Sequence, residues 1–133
     1  MLTLLGKKAK MSVGLDLSQN MLNIARANVS KAGLDKVELR HGDIFATRLP
    51  AASADLVIVH QVLHYLSDPS AAVAEAARTM GGIDILVNNA GILQEAALPA
   101  ITAAHIDRMF AVNVRGAILT TREALPHMPE GGR

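Results

Sequence analysis

Hydrophobic positions along this chain change period several times, and each change marks an element. Residues 11–17 form a short β-branched and apolar run ending at Asp16, and Ser18 stands where a helix N-cap belongs. From Gln19 the apolar residues Met21, Leu22, Ile24, Ala25 and Val29 recur at helical spacing until Gly33 supplies a stop, which predicts a helix over 19–32. Val37, Leu39 and His41 alternate with Glu38 and Arg40, the period of a half-buried strand, and Gly42 and Asp43 end it. After a loop carrying Pro50 and Ser53, Asp55–Val59 is apolar on both faces, as a central parallel strand covered by helices would be. Asp68 and Pro69 open a second helix that reaches about Thr79 before Gly81 and Gly82. Ile83–Val87 reads as another buried strand, ending in Asn88-Asn89-Ala90-Gly91. Thr102 then caps a long helix reaching toward Leu125. Its apolar residues, Ile106, Phe110, Val114 and Ile118 among them, cover more than one sheet-facing stripe, so a second partner surface is expected. The tail after Pro129 reads as a turn leading nowhere.

Strands alternating with helices predict a three-layer, doubly wound α/β domain with ligands at the carboxyl ends of its strands. Those ends carry Asp16, Asp43, His60 and Asn88. At 133 residues the chain fits one domain, able to bury roughly two thirds of its unfolded surface without staples. The absence of cysteine excludes thiol chemistry. Thirteen basic residues against twelve acidic ones leave no electrostatic footprint for nucleic acid or an anionic membrane. No apolar run approaches the roughly 20 residues of a membrane span, and Lys7, Lys8 and Lys10 follow the first apolar residues, the reverse of a secretion signal. A cytoplasmic location is therefore expected. Aromatics make up only 2%, which leaves the core to Leu, Ile, Val, Met and Ala and gives no platform for base stacking.

Two resemblances follow one another along the chain. Val13-Gly14-Leu15-Asp16-Leu17-Ser18 with Met21-Leu22, then Gly42-Asp43-Ile44, then Ala54–His60 and Val62-Leu63-His64 resemble the middle of a class I S-adenosylmethionine-dependent methyltransferase. The resemblance implies that Asp16 binds the ribose hydroxyls of the methyl donor, since a carboxylate accepts both hydrogens. It also implies that Asp43 and Ile44 frame the adenine and that Met21 packs near its face. From Gly81 the resemblance changes. Gly82–Gly91, with Asn88-Asn89-Ala90-Gly91, and Met109–Gly116 are similar to the fourth strand and the long interface helix of the short-chain dehydrogenase/reductase family. There Asn113 corresponds to the catalytic asparagine that holds a proton-relay water, and Asn88 ties adjacent strands together. Such a chain resembles a recombinant of two families, with a methyltransferase-like part over 1–80 and a dehydrogenase-like part over 81–133.

Neither chemistry is complete within these residues. No G-x-G pair is present to let a cofactor approach the backbone closely, so the first strand and its turn are expected to be missing. The reductase Tyr-x-x-x-Lys is absent too: Tyr65 is the single tyrosine, and Pro69 stands four residues on. Without the first strand, right-handed crossovers predict four parallel strands in the order 2-1-3-4, a flavodoxin-like arrangement, or a strand exchanged with a second chain.

Each singled-out residue also has a plainer reading. Asp16 and Asp43 can serve as turn acceptors, His60 and His64 as ordinary strand-end and helix residues rather than metal ligands, and Asn88 and Asn89 as bridges between strand edges. Asn113 becomes a vestige on a packing helix. The expectation is a non-catalytic, recombined or engineered scaffold with no cofactor and no metal, forming a homodimer through Thr102 to Leu125. The alternatives are a degenerate methyltransferase fragment or a weak adenosine or dinucleotide binder, with S-adenosylmethionine or NAD(P) as residual ligands.

Overall fold

The computed structural model describes the backbone of residues 1–133 and every side chain except that of His64. The chain divides into two compact units, Met1–Arg48 and Leu49–Arg133.

In the first unit a short helix α1 (Leu2–Leu5) precedes β1 (Ser12–Asp16), α2 (Gln19–Lys31) and β2 (Val37–His41). The strands pair in parallel, Ser12 opposite Val37 and Asp16 opposite His41, so this is one β-α-β element. Ser18 caps α2 as its position predicts, its hydroxyl accepting from the Met21 amide at 3.3 Å. Leu22 is the buried anchor of α2, at 1% exposure.

The second unit is built on helices: α3 (Pro69–Met80), α4 (Ala103–Phe110) and α5 (Ala117–Ala124), with a π segment, Ala111–Gly116, joining the last two. Asp68 caps α3 by accepting from the Ala71 amide at 3.0 Å. Gly81 ends it with φ +83°, a left-handed conformation that a side chain would strain. Its last carbonyls are taken up locally, Arg78 O by the Ala52 amide and Thr79 O by the Ser53 amide. Val73 and Ala77 of α3, Ile83 and Ala124 form the core, with Met80, Leu86 and Met128 packed against it.

The sheet departs from the four-stranded expectation. Among the described residues only β1 and β2 pair as strands. Asp55–Val59 and Ile83–Val87, read as central buried strands, do not form strands and bend at Asp55 and Asp84, with Leu56 and Ile85 each 67% exposed. Their β-branched runs favour extension, but a strand exists only where a neighbour meets its backbone groups, and that neighbour is a tertiary matter. Ile83–Leu86 comes closest. Leu86 N–H donates to Arg133 O and Arg133 N–H donates to Asp84 O, the alternating bonds of a parallel pair. The tail expected to lead nowhere therefore runs beside the predicted fourth strand.

The long helix begins at the Thr102 cap as expected, its hydroxyl accepting from the His105 amide at 3.2 Å. Its widening into a π turn at 111–116 was not foreseen. Ile106, Phe110, Val114 and Ile118 recur every four residues and all are exposed, Phe110 and Ile118 at 62%. In a pure α-helix a four-residue step drifts around the axis; a π turn holds more residues and offsets that drift.

Candidate functional site

The residues proposed for a methyl donor gather at the carboxyl end of the two strands. Asp16 closes β1 opposite His41, and Gly42 N–H donates to Asp16 O at 3.2 Å, which brings the Asp43 loop alongside. Asp16 Oδ1 accepts from the Ser18 amide at 2.7 Å, and Asp43 Oδ1 from the Phe45 amide at 3.0 Å. Both acids thus do the work of turn acceptors, the plainer of the two readings, while standing where a parallel sheet presents its ligand-binding edge. Ile44 is half-buried beside Asp43, and Met21 is exposed on the first turn of α2. His41 adds a ring nitrogen 3.0 Å from the Leu17 carbonyl.

The second unit holds the residues with reductase resemblance. Asn113 lies inside the π segment, where its amide meets the backbone of Ile92 twice. Oδ1 accepts from Ile92 N–H at 2.8 Å, and Nδ2 donates to Ile92 O at 2.9 Å. Asn113 therefore holds the 88–92 segment to the long helix through both ends of its amide. A Cβ on Gly91 would stand 3.3 Å from Asn113 Oδ1, so the missing side chain lets the segment approach the helix. Asn88 was expected to tie strand edges. Its Nδ2 instead donates to Thr121 Oγ1 on α5 at 2.9 Å.

Thr121 was missed in the sequence. It stands beside Thr120 on α5 and its hydroxyl donates to the Ala117 carbonyl at 2.9 Å, just as Thr120 donates to the Gly116 carbonyl, so no local signal sets it apart. Of the His60–His64 pair, the His64 side chain lies outside the described residues. Among the described residues there is no group of three His, Asp or Glu able to hold a metal, and no helix is long and apolar enough to cross a membrane.

Comparison with known proteins divides along the same chain. Residues 1–82 match the family described as a methyltransferase domain, and residues 42–133 match that described as an enoyl-(acyl carrier protein) reductase. Residues 42–82 are common to both matches. The chain is 34% identical over 103 residues to an uncharacterized oxidoreductase of Methylorubrum extorquens, covering 77% of this chain and 38% of that protein. It is 32% identical over 108 residues to the 2-(R)-hydroxypropyl-CoM dehydrogenase of Xanthobacter autotrophicus, covering 79% and 40%. Versicolorin reductase 1 of Aspergillus parasiticus is 44% identical over 71 residues, 51% of this chain and 27% of that one. The chain thus spans between 27% and 40% of the length of these relatives.

Among solved structures, the short-chain dehydrogenase/reductase of Serratia marcescens superposes with a TM-score of 0.50 at 28% identity, over 99% of this chain and 46% of that one. The YcgJ protein of Bacillus subtilis superposes at 0.55 over 57% of this chain and 32% of its own, and at 24% identity it speaks for the fold alone. The fold is Rossmann-like α/β. The relatives also overturn the expectation of a non-catalytic scaffold: they are named as an oxidoreductase, a reductase and a dehydrogenase.

Proposed function

The chain belongs to two families, the methyltransferase domain over residues 1–82 and the enoyl-(acyl carrier protein) reductase over residues 42–133, and from this we propose that it serves an oxidoreductase using NADH or NADPH. The observation that carries the reading is the double hydrogen bond between Asn113 and Ile92, which sets the reductase-like asparagine and the Asn88–Gly91 segment against each other. When bound, the nicotinamide supplies or takes up a hydride. The chain's own contribution is to hold: Asn88, Asn89 and Gly91 would border the dinucleotide, and Asn113 would keep their backbone in place. The donor chemistry fits, since backbone groups and amides both give and accept hydrogen bonds to ribose and amide edges. The acid that completes such a reaction, the tyrosine of Tyr-x-x-x-Lys, is not among these 133 residues.

A second reading is favoured by the two acids at the carboxyl ends of β1 and β2: a methyl donor held by Asp16, Asp43 and Ile44, with Met21 near its adenine. Calorimetry separates the two. Binding of NADPH or NADH with no response to S-adenosylmethionine supports the oxidoreductase; the reverse result overturns it in favour of the methyl donor. The four-stranded sheet in the order 2-1-3-4, or its strand-swapped dimer, goes with either reading. Slow amide exchange in both 55–59 and 83–87 is what it requires.

The proposed partner is a second copy of this chain. A shallow depression on the long helix is lined by Asp107, Phe110, Ala111, Val114, Arg115 and Ile118. Asp107 and Arg115 lie four residues to either side of Ala111, so two such helices crossing antiparallel at that small residue would set each acid against the partner's base. That self-complementarity is what a two-fold interface requires.

A further inference from the structure

The segment 88–92 meets the long helix at two points. Ile92 is held by Asn113, and Asn88 by Thr121, so the segment runs antiparallel to the helix. Asn89 N–H donates to Val87 O, a tight turn at Asn88, and from there the segment is held against the helix at both ends, with Asn89, Ala90 and Gly91 exposed in the middle.

The chemistry of the Asn88 anchor is directional. A threonine hydroxyl has one hydrogen, and Thr121 donates it to the Ala117 carbonyl. Toward Asn88 the oxygen can then only accept, and it receives Nδ2. The amide oxygen of Asn88 is consequently left out of that bond, as an acceptor still to be used.

We infer that Thr121 is a positioning residue: its hydroxyl orients Asn88 and, with Asn113 at the other end, presets the 88–92 strap that receives the polar edge of a dinucleotide. The anchoring stands on the hydrogen bonds alone; the identity of the ligand rests on the oxidoreductase reading.

Thr121→Val keeps the shape and removes the acceptor, and Thr121→Ser keeps the acceptor. Amide exchange across the whole chain and titration with NADPH read the two halves of the inference. In Thr121→Val, exchange is expected to quicken several-fold at the Asn89 amide, which donates to Val87 O, and at the Ile92 amide, which donates to Asn113, and not elsewhere, and NADPH to bind about five-fold more weakly, the worth of one hydrogen bond. Thr121→Ser should restore both. Unchanged exchange at both amides, exchange raised evenly along the chain, or a serine variant that behaves like valine would each overturn the anchoring. Local quickening with unaltered NADPH affinity would overturn the link to the ligand. Should the unmodified chain bind no NADPH, the oxidoreductase reading fails, while the exchange data still decide whether Thr121 anchors the strap.

Discussion

Asn113 shows how much one side chain can join. It lies 21 positions from Ile92 in sequence, yet it makes both a donor and an acceptor bond to that residue's backbone. Asn113→Ala should lower stability by about 1 kcal/mol, since each bond is exposed to competing water, and the melting temperature measures it. Asn113→Asp should be worse for the strap than its near-identical shape suggests. The carboxylate keeps the acceptor for Ile92 N–H but sets negative charge against Ile92 O, and faster exchange of the Ile92 amide is the expected sign. Glu123 offers a pH test. Its carboxylate accepts from Ser70 Oγ at 2.6 Å and pairs with Arg122, joining α3 to α5, and these bonds hold its pKa below the ordinary glutamate range. A pKa depressed by folding means that the stabilisation is present above the unfolded value and is lost as pH falls through the folded one. The melting temperature should therefore drop on acidification below about pH 4.5, and Glu123→Gln should flatten that dependence.

At the level of elements, the helices were legible because their signals are local. Ser18, Asp68 and Thr102 each cap the helix that follows, and Gly81 ends α3, all as residue type and position imply. What a helix packs against is a separate matter, and two substitutions probe it. Leu22→Ala, at the one buried position of α2, should cost about 2–5 kcal/mol, because the emptied space refills only in part. Ala124→Leu should cost about 1–3 kcal/mol, since Ala124 is fully buried where α5 meets Val73, Ala77 and Ile83. Denaturant unfolding measures both. The strands were legible only in part. Ser12–Asp16 and Val37–His41 pair as their patterns suggest, but Asp55–Val59, the clearest strand pattern of the chain, does not. Apolarity on both faces says that a segment would gain from being covered, and says nothing of whether a partner edge is within reach.

For the whole molecule, the line of exposed apolar residues on the long helix is the feature with the largest consequence. If the second copy docks there, Phe110→Glu should yield a monomer by sedimentation at concentrations where the unmodified chain is dimeric, because it places a charge in the centre of the buried face. A concentration-independent monomer mass for the unmodified chain would rule the dimer out. The candidate sites divide by unit: Asp16, Met21, Asp43 and Ile44 in the first, Asn88 and Asn113 in the second. Their positions at strand ends and on the long helix could be read from motif and period. Their partners could not, and Thr121 escaped notice because nothing in the local pattern distinguishes a threonine that orients an amide from one that fills a helix.

Residue order alone determined the helix starts and stops, the β1–α2–β2 element and the presence of two families on one chain, because caps, glycine stops and periodic apolar faces act over a few neighbouring positions. Tertiary structure decided which extended runs find a paired edge, where the long helix widens, and which side chains meet across 21 or 33 positions of chain. Those outcomes depend on backbone groups meeting partners far away in sequence, a choice that no local preference encodes.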